Sequence, residues 1–271
     1  MKQALDNKWL CDYEYIPHLV ELTEDEMNKY KKLTAQLVRM GCMGESNFDS
    51  SRKEKCKMKS LERKRIIHKA SNKLNVYKEI LENEFLKRGN LKYSLIYVPE
   101  GKEIDIDIED YLEETEEDFK LIDEYTRIVS GFDEKVSQFT SKTNNREYIL
   151  NAFEKGEIDT LVSMKCLDEG VDVPRSELAI FCASTGNPRQ FIQRRGRVLR
   201  KHKDKSIATI HDLVVIPKIN KNTYTSDERN LIISELKRVI DFSKLSKNES
   251  ETHKILKDLI ILYDINLEEF I

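Results

Sequence analysis

Residues 135–164 have the sequence KVSQFTSKTNNREYILNAFEKGEIDTLVSM, in which a helix separates two short apolar strands. The runs at 135–141 and 158–164 predict buried strands, and 144–157 predicts a helix between them. Two strands joined by a helical crossover lie parallel, and a parallel sheet is covered by helices on both faces. This stretch therefore predicts an α/β fold built on a mostly parallel sheet.

The segments on either side continue the alternation of strands and helices. Thr23 and Glu26 form a capping box at the start of the first helix, and Gly89 suits the position just after a helix end. Residues 41–57 lack periodicity and predict a loop. The other predicted strands are 11–22, 92–99, 177–184 and 206–216, and the other predicted helices are 22–40, 60–89, 118–129, 187–200, 226–245 and 249–265.

The charge of the chain is distributed unevenly. The 271 residues carry a net charge of −3, so the chain as a whole is not a polycation. Residues 100–124 hold 13 acidic and 2 basic residues, which leaves a net charge of +8 on the rest. The acidic segment is either a solvated helix face or a shield that keeps wrong partners from a basic groove. The basic segment 52–64 either follows a nucleic-acid backbone or is a flexible charged loop.

The cysteines and histidines argue against a disulfide framework and a metal site. The cysteines are odd in number and form no CxxC pair, which favours a reduced, cytoplasmic compartment. The five histidines lack metal-ligand spacing, so we expect no metal. No segment has the length of a membrane span or the pattern of a signal peptide, so we expect no membrane partner. The five cysteines are Cys11, Cys42, Cys56, Cys166 and Cys182.

The loop at 163–174, SMKCLDEGVDVP, is a candidate ligand site because it follows a predicted strand. Ligands of parallel sheets gather at the carboxyl ends of the strands. Gly170 lets the backbone approach a ligand closely, and Asp172 could accept hydrogen bonds from ribose hydroxyls. An acidic glycine turn by itself is more often only a turn.

The second candidate is the basic run FIQRRGRVLRKHK, residues 191–203, which we also expect at the carboxyl ends of the strands. On a helix, Gln193, Arg197 and Arg200 would share one face. Arginine forks on one face suit phosphate oxygens, whereas the spacing alone favours a solvated basic helix. The residues beyond, at 201–203, are expected to be ordinary surface charge.

Taken together, these two loops resemble a known family. LDEGVDVP (167–174) followed by QFIQRRGRVLR (190–200) resembles motifs V and VI of superfamily 2 helicases, and LIYVP (95–99) stands where motif IV would. The N-terminal segments are similar to the entry into the second motor lobe of restriction-enzyme and Swi/Snf-like relatives. The resemblance implies a three-layer RecA-like domain of the P-loop NTPase type at 91–217. An entry strand and helices that lead into this lobe, including an N-terminal helical insertion, would occupy 1–90, and a C-terminal helical tail would occupy 218–271.

The resemblance also implies roles for individual residues. Arg197 and Arg200 match the arginine fingers that reach the γ-phosphate of ATP, and Gln193 matches the residue that couples this phosphate to the nucleic-acid site. Lys165 replaces a residue whose hydroxyl or carboxylate is usual, and it could offer a charge instead. Gly170, Asp172 and Arg194 match positions near the nucleotide, and Thr140, Ser141 and Lys142 are candidate contacts to nucleic-acid phosphates.

The sequence contains no GxxxxGK[ST] loop and no DEAD or DEAH tetrad. Phosphoryl transfer needs a phosphate cradle and a magnesium carboxylate, so we expect no ATP hydrolysis by this chain alone. The resemblance implies the second lobe of an ATP-dependent DNA helicase or translocase. An N-terminal RecA-like lobe of the same parent protein would hold ATP and Mg²⁺, and double-stranded DNA would be the track. The alternative is a non-catalytic module that binds nucleic acid or protein.

Overall fold

The computed structural model describes residues 10–42, 50–99, 116–140, 142–164, 173–183, 196–219 and 223–266. Within these residues, six strands form one parallel sheet in the order β1-β6-β5-β2-β4-β3. The strands are β1 Asp12–Glu21, β2 Ser94–Tyr97, β3 Val136–Phe139, β4 Thr160–Ser163, β5 Leu178–Phe181 and β6 Ile207–Ile216. The helices are α1 Glu24–Arg39, α2 Ser50–His68, α3 Lys73–Arg88, α4 Glu116–Ser130, α5 Arg146–Glu154, α6 Ser226–Ser243 and α7 Glu249–Leu262.

Helices cover the sheet on both faces, which confirms the predicted three-layer α/β fold. Consecutive residues of β2 alternate between two cores, with Leu95 in one and Ile96 in the other. The core around Leu95 takes side chains from α5, α6 and α7, and the core around Ile96 takes them from α1, α3 and α4. Every residue of β2, β4 and β5 is buried, as expected for strands covered on both sides.

The helices between β1 and β2 differ from the prediction. The structure confirms the capping box, in which Thr23 N–H donates to Glu26 Oε2 at 2.9 Å. The predicted loop at 41–57 is wrong in its second half, since α2 begins at Ser50. The predicted single helix at 60–89 is also wrong, because it breaks between α2 and α3. Ser71 N–H donates to the Glu26 carboxylate and the Asn72 side chain donates to Glu21 O, so tertiary hydrogen bonds outweigh helical periodicity at the break.

A disulfide joins Cys42 to Cys56, which corrects the expectation of no disulfide pairing. Helix α2 packs against α1, and this brings the two Cα atoms to 5.6 Å. Such a distance lies within the range that a disulfide spans. The disulfide depends on how α1 and α2 pack against each other. The number of cysteines and the absence of a CxxC motif cannot predict this packing.

The C-terminal helices α6 and α7 pack on β1, an edge strand of the sheet. The Tyr13 hydroxyl donates to Phe242 O at 2.7 Å. The Asn248 side chain accepts from Tyr15 N at 2.8 Å and donates to Tyr15 O at 3.0 Å. The two helices thus share a hydrophobic core with the sheet. None of the helices within the described ranges is long and apolar enough to cross a membrane.

Candidate functional site

Arg197 and Arg200 lie where the strands of the sheet begin. We call this side of the sheet the amino-terminal edge, and the side where the strands end the carboxyl-terminal edge. Arg200 forms an antiparallel bridge with Leu10, and Cys11 N–H donates to Leu199 O at 2.8 Å, just before β1 begins. The expectation that these arginines lie at the carboxyl ends of the strands is therefore wrong. The chain leaves β5 at its carboxyl end and must return to the opposite edge to start the parallel strand β6. The second half of this connection, with both arginines, consequently lies at the amino-terminal edge.

The expected helical face is also only partly present. Residues 196–198 are helical, but Arg200 lies beyond them and its N–H donates to Arg197 O at 3.2 Å. Arg200 thus does not continue the helical face of Arg197, because the backbone has already turned into its bridge with Leu10. Arg197 is half-buried and Arg200 is exposed, whereas Val198 and Leu199 between them are fully buried. The two buried residues anchor this stretch, which we call the arginine stretch (196–200), in the core.

One lysine that the sequence reasoning missed connects the arginine stretch to its neighbours. The Lys205 amino group donates to Pro174 O at 2.6 Å, Ser176 O at 3.1 Å and Val198 O at 2.8 Å. The residue is only 7% exposed. In the sequence, Lys205 is one more cation after a basic run, and no spacing sets it apart. Its role depends on three carbonyl groups that come together only in the folded chain.

A small network of charged side chains flanks Lys205. His202 Nε2 lies 2.9 Å from Glu154 Oε1, so the expectation that His202 is ordinary surface charge is wrong. Asp204 forms an ion pair with Arg175 at 3.4 Å. The Arg175 guanidinium also lies 4.1 Å from the centre of the Tyr93 ring, a cation–π distance. These contacts join α5 to the two segments that lead into β5 and β6.

Thr140 and Lys142 lie at the opposite, carboxyl-terminal edge, directly after β3, in a turn held by its own hydrogen bonds. Thr140 N–H donates to Thr143 Oγ1 at 2.8 Å, and Lys142 N–H donates to Thr140 Oγ1 at 3.3 Å. The Lys142 ammonium lies 3.8 Å from the centre of the Phe119 ring. The structure therefore places these two residues at the edge where the sequence predicted a ligand, and adds Thr143 to the turn. The other predicted site residues, Ser141, Lys165, Gly170, Asp172, Gln193 and Arg194, lie outside the described residues.

A buried ion pair connects the sheet to α6. Asp212 on β6 is completely buried, accepts a hydrogen bond from the Tyr15 hydroxyl at 2.7 Å and lies 3.5 Å from Arg238 Nε. Burial raises the pKa of the Asp212 carboxyl, and the Arg238 charge and the Tyr15 hydrogen bond oppose this rise. The arrangement holds α6 on the sheet and places no substrate-facing group among these residues.

His211 points away from Asp212 and contacts His18 and Glu84. His211 Nδ1 lies 2.8 Å from His18 Nε2, and His211 Nε2 lies 3.4 Å from the Glu84 carboxylate. Burial and, after it, the neighbouring His211 lower the pKa of His18 to about 3, so His18 is neutral near pH 7. His211 and Asp212 thus form no catalytic dyad. Across the described parts of the chain, no three or more His, Cys, Asp or Glu side chains are placed to hold a metal ion.

Comparisons with known proteins agree on one family. Residues 72–202 match the model of the helicase conserved C-terminal domain. The DNA 3'-5' translocase XPB2 of Sulfurisphaera tokodaii is 44% identical over 84 residues, which are 31% of this chain and 19% of the relative. The DNA 3'-5' helicase XPB of Mycobacterium tuberculosis is 34% identical over 80 residues, 29% of this chain and 15% of the relative. The chain thus spans less than a fifth of either relative.

Two solved structures share the fold. The SWI2/SNF2 ATPase core domain of Sulfolobus solfataricus superposes with a TM-score of 0.52 at 16% identity, over 98% of this chain and 51% of that one. The C-terminal part of the Fun30 ATPase domain superposes with a TM-score of 0.50 at 14% identity, over 83% of this chain and 97% of that one. The same fold therefore occurs in these two ATPase domains.

Proposed function

Because this chain carries the RecA-like C-terminal lobe of the superfamily 2 helicases, we propose that it is the second motor lobe of an ATP-dependent DNA translocase or helicase. The observation that carries the proposal is the arginine stretch. It presents two arginines from a backbone whose intervening residues, Val198 and Leu199, are fully buried. A cation on such a fixed support can meet a developing negative charge with little reorganisation.

In this proposal, Arg197 and Arg200 face the γ-phosphate of ATP bound by a separate N-terminal lobe. The guanidinium groups suit phosphate oxygens because they are planar, permanently charged and rich in donors. Mg²⁺ would come with the nucleotide on that lobe, since the sequence lacks a GxxxxGK[ST] loop. When bound, ATP would supply the phosphoryl group and Mg²⁺ would neutralise part of the charge of that group. The two arginines of this chain would stabilise the charge that remains on the transferred group.

The carboxyl-terminal edge is the proposed contact with nucleic acid. Lys142 carries a positive charge there, on a turn whose shape is fixed by Thr140 and Thr143. The basic segment 52–64 lies on helix α2, where Lys53 and Lys57 are one helical turn apart and Lys53 is exposed, and it is a second candidate contact. Basic groups of this kind bind phosphates without reading base sequence. Double-stranded DNA is the track that the family resemblance favours.

The test separates ATP turnover from nucleic-acid binding in the complete protein that contains this chain. We expect Arg197→Ala to lower kcat for ATP about 10³-fold or more while the Kd for DNA changes less than about threefold. Lys203→Ala is the control, because it removes an exposed positive charge close by in the sequence. If Arg197→Ala instead mainly weakens DNA binding and lowers its salt dependence, Arg197 contacts nucleic acid. If a protein that binds DNA shows no ATP turnover before mutation, the chain is a non-catalytic binding module.

A further inference from the structure

Lys205 joins three separate backbone segments through one side chain. Pro174 ends the loop at 163–174, Ser176 lies just before β5, and Val198 belongs to the arginine stretch. Each of the three offers its carbonyl oxygen to the Lys205 amino group, at 2.6, 3.1 and 2.8 Å. An ammonium group has three protons, so these contacts match its full donor capacity.

Because Lys205 is buried, its charge has to be compensated by neighbouring groups. Lysine is almost never buried to this degree unless its charge is compensated, because a charge leaves water at a high cost in free energy. Three carbonyl dipoles provide part of that compensation. The Val198 carbonyl does so from the end of a helical turn, where a cation is favoured. The Lys205 amino group is therefore bound by backbone carbonyls of the fold.

The contacts fix the arginine stretch from two sides. Lys205 binds Val198 O, and the backbone N–H of Cys11 donates to the adjacent Leu199 O. Arg197 directly precedes these two residues and Arg200 directly follows them. The positions of both arginines therefore depend on contacts made by Val198 and Leu199, which carry no charge themselves.

We propose that Lys205 is a positioning residue, which fastens the arginine stretch to the exit of the 163–174 loop and so sets where Arg197 and Arg200 stand. The inference rests on the proposed function, because it assigns Lys205 an effect on turnover through these arginines. It also predicts a structural effect that can be observed without turnover. Lys205 touches neither ATP nor nucleic acid in this account.

The test compares two buried lysines in the complete protein that contains this chain. Lys205→Met removes the ammonium group but keeps an unbranched side chain. Lys73→Met is the matched control, because Lys73 is 1% exposed and donates to two carbonyls, His68 O at 3.1 Å and Cys182 O at 2.9 Å. Cys182 follows β5, so this contact lies at the opposite edge of the sheet. Both variants lose a buried ammonium, and only one loses the contacts to the arginine stretch.

Hydrogen exchange gives the structural readout. The amides of Cys11, Ser176 and Arg200 donate to Leu199 O, Val173 O and Arg197 O, next to the carbonyls that Lys205 binds. We expect Lys205→Met to accelerate exchange in peptides that contain these three amides at least about tenfold. Lys73→Met should leave them within about threefold of the parent protein. If the Lys205→Met variant exchanges like the parent in these peptides, or if both variants accelerate them equally, Lys205 does not fasten the stretch.

Kinetics gives the functional readout. We expect Lys205→Met to lower kcat for ATP about 10- to 100-fold, with KM for ATP and Kd for DNA changed less than about threefold. When Lys205→Met is combined with Arg197→Lys, the loss should be smaller than the product of the two single losses, because both act on one arginine. Multiplicative losses, or equal losses of kcat and affinity, would contradict the proposal.

Two further outcomes keep the inference separate from the proposed function. If Arg197→Ala leaves turnover unchanged, the proposed function fails, and the exchange result still decides whether Lys205 fastens the stretch. If Lys205→Met does not fold, Lys205→Gln replaces it, since a side-chain amide can donate two of the three hydrogen bonds. We expect exchange and kcat of Lys205→Gln to differ from the parent in the same directions and by less, and parent-like values in both would overturn the proposal.

Discussion

The two edges of the sheet hold their candidate functional residues in different ways. At the amino-terminal edge, Lys205 connects the arginine stretch to the distant carbonyls of Pro174 and Ser176, and the distant backbone of Cys11 donates to it. At the carboxyl-terminal edge, Thr140 and Lys142 belong to a turn whose hydrogen bonds connect residues two or three positions apart. The arginines should therefore respond to changes far away in the sequence, whereas the backbone of the turn should respond mainly to local ones.

The largest expected effect is on turnover, at the amino-terminal edge. Arg200→Ala should lower kcat for ATP in the complete protein by about 10³-fold, because it removes a cation from the proposed transition-state contact. Arg200→Lys keeps the charge but not the planar fork of donors, so its kcat should lie between those of the parent and the alanine variant. Steady-state ATPase rates measure this. A loss below about threefold for Arg200→Ala would remove this residue from the proposed mechanism.

The next effect concerns the stability that distant contacts give the sheet. Arg238→Met should lower the free energy of unfolding by about 3–5 kcal/mol, because it leaves the Asp212 carboxylate buried without its opposite charge. Lys244→Met breaks the exposed pair with Asp241 and should cost less than about 1 kcal/mol. Urea denaturation of the complete protein distinguishes them. Equal midpoints for the two variants would show that the buried pair does not anchor α6.

A third effect follows from the neutral His18 on the edge strand β1. Its lowered pKa means that the folded protein binds fewer protons than the unfolded chain below about pH 6.5. The contribution of His18 to the free energy of unfolding is therefore fully present above pH 6.5. It is lost as the pH falls toward 3, by up to about 1.4 kcal/mol per pH unit. The free energy of unfolding should decrease by about 2 kcal/mol from pH 7 to pH 5.

His18→Gln supplies the control for this pH dependence, because glutamine does not titrate. Burial raises the pKa of Glu84, whereas the hydrogen bond and the charge of His211 lower it, and the net direction is downward. Glu84 thus adds a loss of the same sign only below its ordinary pKa of 4.5. The free energies of unfolding of the parent and His18→Gln should consequently diverge as the pH falls below 6.5, and between pH 6.5 and pH 5 Glu84 adds little to this divergence. Parallel curves over that range would assign the pH dependence to other groups.

The smallest effect belongs to the carboxyl-terminal edge. Lys142→Ala should weaken DNA binding a few-fold and lower the slope of log K against log salt by about one phosphate contact. Lys155→Ala removes an exposed lysine just after α5, at the other edge, and should leave the slope unchanged. Fluorescence anisotropy at several salt concentrations measures both. The same slope change in both variants would indicate that only the total charge matters.

The same contrast explains which features were predictable. Local patterns identified the capping box at Thr23, the end of α3 at Gly89 and the buried strands, because short-range hydrogen bonds and short apolar runs determine them. The family resemblance selected Arg197 and Arg200 as candidates, but the sequence misplaced them at the carboxyl edge, because the edge depends on where a crossover returns. Lys205 and the disulfide between Cys42 and Cys56 were missed, since each depends on segments that meet only after folding.

The most direct test of the account asks which ligand each edge faces. A nitroxide label is placed at Lys201→Cys or at Lys142→Cys in the complete protein, loaded with a non-hydrolysable ATP analogue and Mn²⁺. Four-residue strands separate the two edges by about 13 Å. If the amino-terminal edge faces the nucleotide, the distance to Mn²⁺ should be at least about 10 Å shorter from position 201 than from position 142. Equal distances, or a shorter one from position 142, would contradict the assignment of the amino-terminal edge to the nucleotide.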